Sequence, residues 1–253
     1  MDSRSLPRVS RQKSIGAEGS APVFVRFLPG TDGRGFARLF ALDGPPRQLF
    51  VAGTAPEEAW TYIAVVGSRR ASVDGLQNAF ALGRDLAAAG FHVISGLALG
   101  IDGSALEGAL SVGHTPPAAI LGNGLPEIYP PEHTGLAARL VEAGGFIATE
   151  QPPHSPPRRQ NFPARNRLIS GLSVAVVVVE ASRRSGSLIT ANWALDQGRE
   201  VLAFPGPATA PWSQGNLQLI KEGAVMVTDA AEVLGYLRLS AASGGDRPAR
   251  RSD

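Results

Sequence analysis

The sequence predicts an α/β protein, an extended Rossmann-like and doubly wound fold whose mostly parallel sheet carries helices on both faces. Residues 175–179 are apolar at every position, which indicates a central parallel strand covered on both sides. Helical stretches alternate with the strands at intervals of about 30 residues, the length of one βαβ unit. Apolar runs typical of strands begin near Tyr62, His92, Pro117, Phe146, Val174, Glu200 and Ala224.

The elements follow one another in a simple order. Residues 1–20 are polar and basic without apolar periodicity, which predicts a disordered arm. Residues 21–60 contain short apolar pieces between Gly and Pro and predict a small strand-containing preface. The Rossmann-like domain is expected over residues 61–239, and residues 240–253 have the composition of a flexible tail. Helices are expected over residues 72–89, 101–111, 132–143, 188–197 and 230–239.

Composition excludes several classes of protein. The chain has 253 residues, 43% of them hydrophobic, which is enough for a large core. It has no cysteine, which excludes disulfides, thiolate catalysis and cysteine-ligated metals. Its four histidines lack metal-ligand spacing, so no metal and no cofactor is expected, and His92 is expected at the edge of the core. A polar start and the absence of an apolar run of about 18 residues predict a cytoplasmic protein without a membrane span.

Basic charge is concentrated in one segment. Residues 151–187 contain six arginines and one acid, Glu180, a local charge of +5 in a chain whose formal net charge is +2. A basic patch confined to one region is the footprint expected of a surface that meets phosphates. Arginine suits this role because its planar fork makes bidentate phosphate contacts and stacks on bases.

Four strand-to-helix turns are rich in small and polar residues, at 67–70, 95–102, 122–124 and 185–187. The carboxyl ends of parallel strands form the ligand crevice of such a sheet. Glycine lets the backbone approach a phosphate closely, and amides at a helix start favour an anion. One glycine turn alone is more often mere turn geometry, but four at one edge, two of them beside arginines, favour a phosphate-bearing ligand.

Three side chains near these turns have two interpretations each. Asp102 is expected to be an N-terminal cap or a partner of the helix dipole rather than an acid catalyst. Glu180 is expected to pair with the neighbouring arginines, and it has the alternative role of orienting Arg165 or Arg167 toward a ligand. Phe162 is either a packing anchor or a platform for a base. No catalytic residue is assigned.

Missing motifs narrow the function further. Neither lysine follows the glycines of a P-loop, which excludes that class of nucleotide triphosphatase. The run that begins at Gly122 has Glu127 in place of the last glycine of a dinucleotide motif. The rival function is a nucleotide-hydrolysing enzyme, a phosphoribohydrolase on a related fold, whose family carries a Pro-Gly-Gly-x-Gly-Thr-x-x-Glu run. Residues 205–211 here lack its glycines and its glutamate.

Taken together, six motifs resemble those of the DNA-processing protein A family, also called DprA or Smf. Their order and spacing agree over residues 47 to about 230. The motifs are GSRRAS at 67–72, SGLALGID at 95–102, FPARNRLISGLS at 162–173, VEA at 179–181, SGSLITA at 185–191 and FPG at 204–206.

This resemblance implies a single-stranded DNA-binding recombination mediator that protects incoming DNA and helps load the RecA recombinase during natural transformation. It implies a homodimer, no catalysis and no cofactor. The family's DNA-binding positions fall here on Gly67, Ser68, Arg69, Arg70, Gly96, Gly100, Phe162, Arg165, Asn166, Arg167, Ser185, Gly186 and Ser187.

The chain departs from the family pattern at Pro126, His133, His154 and Leu217, where the family usually has Asp, Asn, Gly and Asn. These positions are expected at the rim of the crevice rather than its floor. Given the length of the flanking segments, the additional amino-terminal helical domain and carboxyl-terminal winged helix of many members are not expected in this sequence. The stripe formed by Ala231, Val233, Leu234, Tyr236, Leu237 and Arg238 either covers the sheet or forms a dimer interface, and the resemblance favours the dimer.

Overall fold

A computed structural model describes residues 25–28 and 34–242 as one mixed sheet between two layers of helices. The predicted arm and most of the predicted tail lie outside the described residues. All seven predicted strand starts are confirmed to within two residues. The strands are β1 (Val25–Phe27), β2 (Leu49–Gly53), β3 (Tyr62–Val66), β4 (His92–Ser95), β5 (Ala118–Ile120), β6 (Phe146–Thr149), β7 (Ser173–Val178), β8 (Glu200–Ala203) and β9 (Val225–Met226).

The five predicted helices are present, and the described chain has further ones. Their bounds are α1 (Ala37–Phe40), α2 (Val73–Ala88), α3 (Ile101–Leu110), α4 (Thr134–Glu142), α5 (Asn161–Leu172), α6 (Gly186–Asp196), α7 (Gln214–Lys221) and α8 (Ala230–Ala242). Helix α5 was not predicted because Pro163 and the arginines obscure its apolar pattern. Proline is tolerated there since the first turn of a helix has no intrahelical partner for its N–H groups.

The strand order is β1-β2-β6-β5-β4-β3-β7-β8-β9. Strands β3 to β9 are parallel to one another, whereas β2 pairs antiparallel with β6, and β1 pairs antiparallel with β2. From β3 the chain builds the sheet outward through β4, β5 and β6, and it then returns through α5 to place β7 on the other side of β3. This reversal between β3 and β7 is a topological switch point, where ligands of open α/β sheets bind.

Each face of the sheet has its own apolar core. Helices α2, α3, α4 and α8 cover one face, and α1, α5, α6 and α7 cover the other. Residues 175–178 of β7 are fully buried, which confirms the strand as central. Helix α8 contributes Ala230 and Val233 to the core, and it continues to Ala242 beyond the predicted end.

Two glycines set how closely α2 and α3 pack. A Cβ on Gly83 would lie 2.0 Å from the carbonyl oxygen of Ala105, and a Cβ on Gly108 would lie 2.0 Å from that of Phe80. Real side chains do not come this close to a backbone, so only glycine permits the packing. Because only residues 96–100 separate β4 from α3, this packing also restricts the turn that those residues form.

Candidate nucleic-acid interface

A cleft of about 850 Å³ opens beyond the carboxyl ends of β3 and β7, at the switch point. A volume of this size is in the range of ligand sites. Gly96 lies in a smaller recess of about 60 Å³ that shares Phe162 and Arg165 with the cleft. Gly100 and Arg167 do not line either space. Ten of the predicted positions line the cleft, namely Gly67, Ser68, Arg69, Arg70, Phe162, Arg165, Asn166, Ser185, Gly186 and Ser187.

The turn after β3 is fixed by backbone contacts that leave its arginines free. The amide of Ser68 donates to the carbonyl oxygen of Glu180 at 2.7 Å. A Cβ on Gly67 would lie 2.6 Å from Ile101 and 2.9 Å from that carbonyl, so a glycine is needed for the approach. Arg69 and Arg70 are exposed, and among the described residues neither has a carboxylate within 4.0 Å.

Glu180 does not pair with arginines, so that expectation was wrong. Its buried carboxylate accepts hydrogen bonds from the amide of Ser72 at 3.1 Å and from the Ser72 hydroxyl at 2.8 Å. Ser72 in turn caps α2, because its Oγ accepts from the amide of Gly75 at 3.0 Å. Glu180, which follows β7, thereby fixes both ends of the arginine turn: its carbonyl oxygen holds Ser68, and its carboxylate holds Ser72 at the start of α2.

Asp102 does not cap α3, but it lies where a partner of the helix dipole was the predicted alternative. The N-terminal cap of α3 is Gly100, which has a positive φ of 79°. Asp102 lies in the first turn of α3, and its Oδ2 accepts from the amides of Gly96 at 3.0 Å and Ala98 at 3.4 Å. The carboxylate therefore ties the loop after β4 to the helix that follows it. Burial raises the pKa of this carboxyl group, an effect that the charge of Arg165 partly offsets.

Arg165 lies beneath the cleft rather than projecting into it. The side chain is 6% exposed, and it donates to the carbonyl oxygens of Gly96, at 2.8 Å, and Ile120. Burial lowers the pKa of Arg165 to about 10, while the carboxylate of Asp102 acts in the opposite direction. A Cβ on Gly96 would lie 2.6 Å from the guanidinium and 2.8 Å from the carboxylate, so only glycine fits between them.

Phe162 packs as an anchor would, and its role as a platform for a base stays a prediction. Its ring packs against Gly122, where an added Cβ would lie 2.8 Å from the ring, yet it is only half-buried and lines the cleft. The ring of Tyr129 lies 5.5 Å away between centroids. The guanidinium carbon of Arg69 is 5.4 Å from the centre of the Phe162 ring, within the range of a cation–π interaction.

The start of α6 forms the other side of the cleft. Ser185 caps the helix, with its Oγ 3.4 Å from the amide nitrogen of Ser187 and 2.7 Å from the Ser187 hydroxyl. Asn166 of α5 donates to the carbonyl oxygen of Gly186 at 3.2 Å and holds the two helices together. A Cβ on Gly186 would meet nothing within 4 Å, so the helix start is open to a ligand. The amides and dipole of a helix start favour an anion.

Arg167 pairs with Glu150, and the two side chains are 17% and 20% exposed. A DNA contact by any of the thirteen predicted positions stays a prediction, and Arg167 and Gly100 are the two that line neither the cleft nor the recess. The structure adds cleft residues that were not predicted to bind. Arg159 belongs to the basic segment 151–187, and Tyr129 lies three positions after Pro126, a departure from the family pattern. The sequence therefore drew attention to both regions. Ile189 lies in the motif at 185–191 without having been assigned a contact, whereas Trp212 had no functional signal in the sequence.

Two of the four departures from the family pattern support loops near the cleft. Nδ1 of His133 lies 2.9 Å from the carbonyl oxygen of Leu97, a buried residue with a φ of 56°. His154 has a φ of 60°, in the region that favours glycine, and its ring pairs with Glu127. His133 thus supports the turn after β4, whereas Pro126 and Leu217 are half-buried and have no such contact that explains them.

Over residues 25–28 and 34–242, no three His, Asp or Glu side chains are grouped so that they would hold a metal ion. None of the helices in these ranges combines the length and the apolar character that a bilayer crossing requires.

His92 is buried at the start of β4, as predicted, and its ring stacks on Trp60 with 4.3 Å between centroids.

Comparison with known proteins gives one consistent result. A family described as DNA recombination-mediator protein A matches residues 34–238. Protein Smf of Escherichia coli K12 is 48% identical over 201 residues, which are 79% of this chain and 54% of that protein. The chain therefore spans about half the length of that relative.

Two solved structures share the fold. The DNA processing protein A of Streptococcus pneumoniae superposes with a TM-score of 0.76 at 35% identity, over 84% of this chain and 74% of that one. The protein of the same name from Helicobacter pylori, described for its unique single-stranded DNA binding mode, gives a TM-score of 0.72 at 26% identity. That likeness covers 86% of this chain and 96% of the other.

Proposed function

The chain belongs to the DNA recombination-mediator protein A family, and on that premise we propose that it binds single-stranded DNA in the cleft and mediates recombination during natural transformation. The observation that carries the proposal is the combination of unpaired arginines, an open helix start and exposed aromatic rings in one cleft. Phosphates are the anions that such a helix start and arginine forks bind. Aromatic faces stack any base, so the binding is expected to show little sequence preference.

The contacts of each cleft residue indicate whether it would bind phosphates or bases. Arg69 and Arg70 are exposed and have no carboxylate partner among the described residues, so they are free to neutralise phosphates. Arg165 is buried and donates to two carbonyl oxygens, so we expect its charge to act through the positive potential of the cleft floor. Phe162 supplies a partly exposed ring in the same cleft, on which a base can stack.

Binding rather than catalysis is the proposed activity. The buried carboxylates nearest the cleft are engaged in structural contacts: Asp102 with loop amides and Glu180 with Ser72. A general acid or base needs a carboxyl group that reaches the substrate. The alternative of a phosphoribohydrolase is not favoured, because the turn after β8 reads Pro205-Gly206-Pro207 and lacks that family's glycine run.

A binding titration tests the proposal. Single-stranded, duplex and mononucleotide ligands are titrated over a salt series, and single-strand binding is expected to weaken with a slope near −0.7 for each contacted phosphate. Equal affinity for duplex and single strand, or release of a free base from a mononucleotide, would contradict it.

Loading of RecA and protection of the incoming strand are the proposed biological roles. The assay is RecA assembly on a single strand, with and without this protein, together with digestion of the strand by a nuclease. Faster RecA assembly and slower digestion are expected. Unchanged rates at saturating protein would limit the function to binding.

We also propose a homodimer through β9 and α8. Strand β9 is a two-residue edge strand, and its Met226 is 57% exposed. Part of the predicted stripe on α8 faces the core, since Val233 is fully buried. Leu234 is only partly buried, which leaves surface for a partner subunit. Pairing two clefts would raise avidity for a long strand through effective concentration.

Light scattering of Leu234→Arg tests this interface. The matched control is Ala138→Arg, at an exposed position of α4. A dimeric parent, a folded monomeric Leu234→Arg and a dimeric control support the interface. A monomeric parent refutes it.

A further inference from the structure

A second large aromatic side chain lies in the cleft away from Phe162. Trp212 follows β8, lines the cleft and is 45% exposed. The cleft lining also includes Pro211 and Ile189, the latter 36% exposed. An indole that remains this exposed in a concave site has surface available to a ligand.

The turn that carries Trp212 is firmly held. Ser213 is 3% exposed, and its Oγ lies 2.5 Å from the carbonyl oxygen of Pro207 and 2.9 Å from that of Ala210. Gly206 makes room for this contact, because a Cβ there would lie 2.5 Å from the Cβ of Ser213. The indole is therefore presented on a fixed support, which lowers the entropy lost when a ligand stacks on it.

Strand order places Trp212 and the Phe162 region at opposite ends of the cleft. Tyr129, which packs on Phe162, follows β5, whereas Trp212 follows β8. Four inter-strand steps separate β5 from β8 through β4, β3 and β7, about 19 Å at the spacing of neighbouring strands. The arginine turn after β3 and the start of α6 after β7 lie between the two ends.

We propose that Trp212 is a second base-stacking platform, which holds a nucleobase of the strand whose phosphates lie on the arginine turn and the start of α6. The inference rests on the proposed function and adds a binding position to it. A nucleobase fits the site because it has an apolar face of the size of the indole, and it arrives attached to the phosphates that the intervening turns attract. Stacking on an aromatic face does not depend on base identity.

The two-platform arrangement sets a minimum ligand length. A stacked strand advances about 3.4 Å for each nucleotide, so about six steps span 19 Å, and a more extended strand needs fewer. A dinucleotide is too short to reach both ends. Trp212 should therefore matter for long strands and much less for a dinucleotide held at Phe162.

The experiment compares Trp212→Ala with the parent chain, using a thymidine 12-mer and a thymidine dinucleotide. Trp212→Ala is expected to weaken binding of the 12-mer by about 5- to 150-fold, the range for loss of one stacked base, with the salt slope unchanged. Binding of the dinucleotide should change less than about twofold. The matched control is Leu195→Ala, at a residue of α6 that is 48% exposed and outside the cleft lining.

Two more variants separate stacking from apolar contact. Trp212→Phe should retain most of the affinity for the 12-mer, whereas Trp212→Leu should not. Full affinity in Trp212→Leu, a loss below twofold in Trp212→Ala, or equal losses for the two ligands would overturn the second platform. If the second platform is overturned but the parent chain binds single strands and Phe162→Ala weakens that binding, the proposed function still stands. No binding by the parent chain would overturn both.

Discussion

Replacement of Arg69 by alanine tests the charge contribution of the cleft most directly. Arg69 is exposed, stands over the Phe162 ring and has no carboxylate within 4.0 Å among the described residues. Its removal therefore breaks no ion pair within residues 25–28 and 34–242. We expect the variant to fold normally and to bind single strands more weakly.

The expected magnitude has two parts. A hydrogen bond between a charged donor and its partner contributes about 1.5–3 kcal/mol, so affinity at low salt should fall by about 10- to 150-fold. Loss of one phosphate contact also removes about 0.7 from the salt slope on a single strand. The ratio of parent to variant affinity should then shrink about fivefold for each tenfold rise in salt.

Fluorescence anisotropy with a labelled thymidine strand from 50 to 500 mM salt measures both parts. Arg84→Ala is the matched control, because Arg84 lies on α2 outside the cleft lining and its one ion pair among the described residues is with its neighbour Asp85. The control should leave the slope unchanged. An affinity ratio for Arg69→Ala that stays constant across the salt series would refute a phosphate contact by this residue.

Three further predictions concern stacking, stability and pH. Phe162→Ala should cost about 1–3 kcal/mol of binding free energy with an unchanged salt slope, and normal affinity in the folded variant would leave only the packing role. Glu180→Ala should lower the free energy of unfolding by about 1–3 kcal/mol, measured in urea, because it leaves the amide of Ser72 unpaired; an unchanged midpoint would contradict the capping role. Burial lowers the pKa of His92 below 6.5, so the unfolded chain binds more protons. Stability should therefore fall as pH drops below 6.5, and His92→Gln should reduce that loss in thermal unfolding.

Much of the fold was predictable because strands covered on both faces have an unambiguous pattern. The uninterrupted apolar run of β7 predicted a central strand, and glycines after β3, β4 and β7 predicted the edge at which the cleft opens. Helix α5 was missed because one of its faces carries the arginines and the aromatic ring of the cleft, which removes the apolar period that sequence reasoning relies on.

Partners of charged side chains were the least predictable feature. Glu180 was expected to meet arginines because they lie close in sequence, yet it contacts Ser72, which is 108 positions away in the chain. Arg165 and Arg167 are two positions apart in one helix, but the first is buried under the cleft and the second pairs with Glu150 outside its lining. A helix points such residues in different directions, and only the packing around them decides which one faces a ligand.

The sequence by itself determined the doubly wound sheet, the edge that bears the site and the family to which its motifs point. These features depend on local patterns of apolar, glycine and basic residues. Each pattern lies within one short segment and can be recognised without the tertiary structure. Tertiary structure alone decided which arginines are free, that Asp102 ties a loop rather than caps a helix, and that Trp212 shares a cleft with Phe162. Those properties depend on contacts between segments distant in the chain, and no local pattern encodes them.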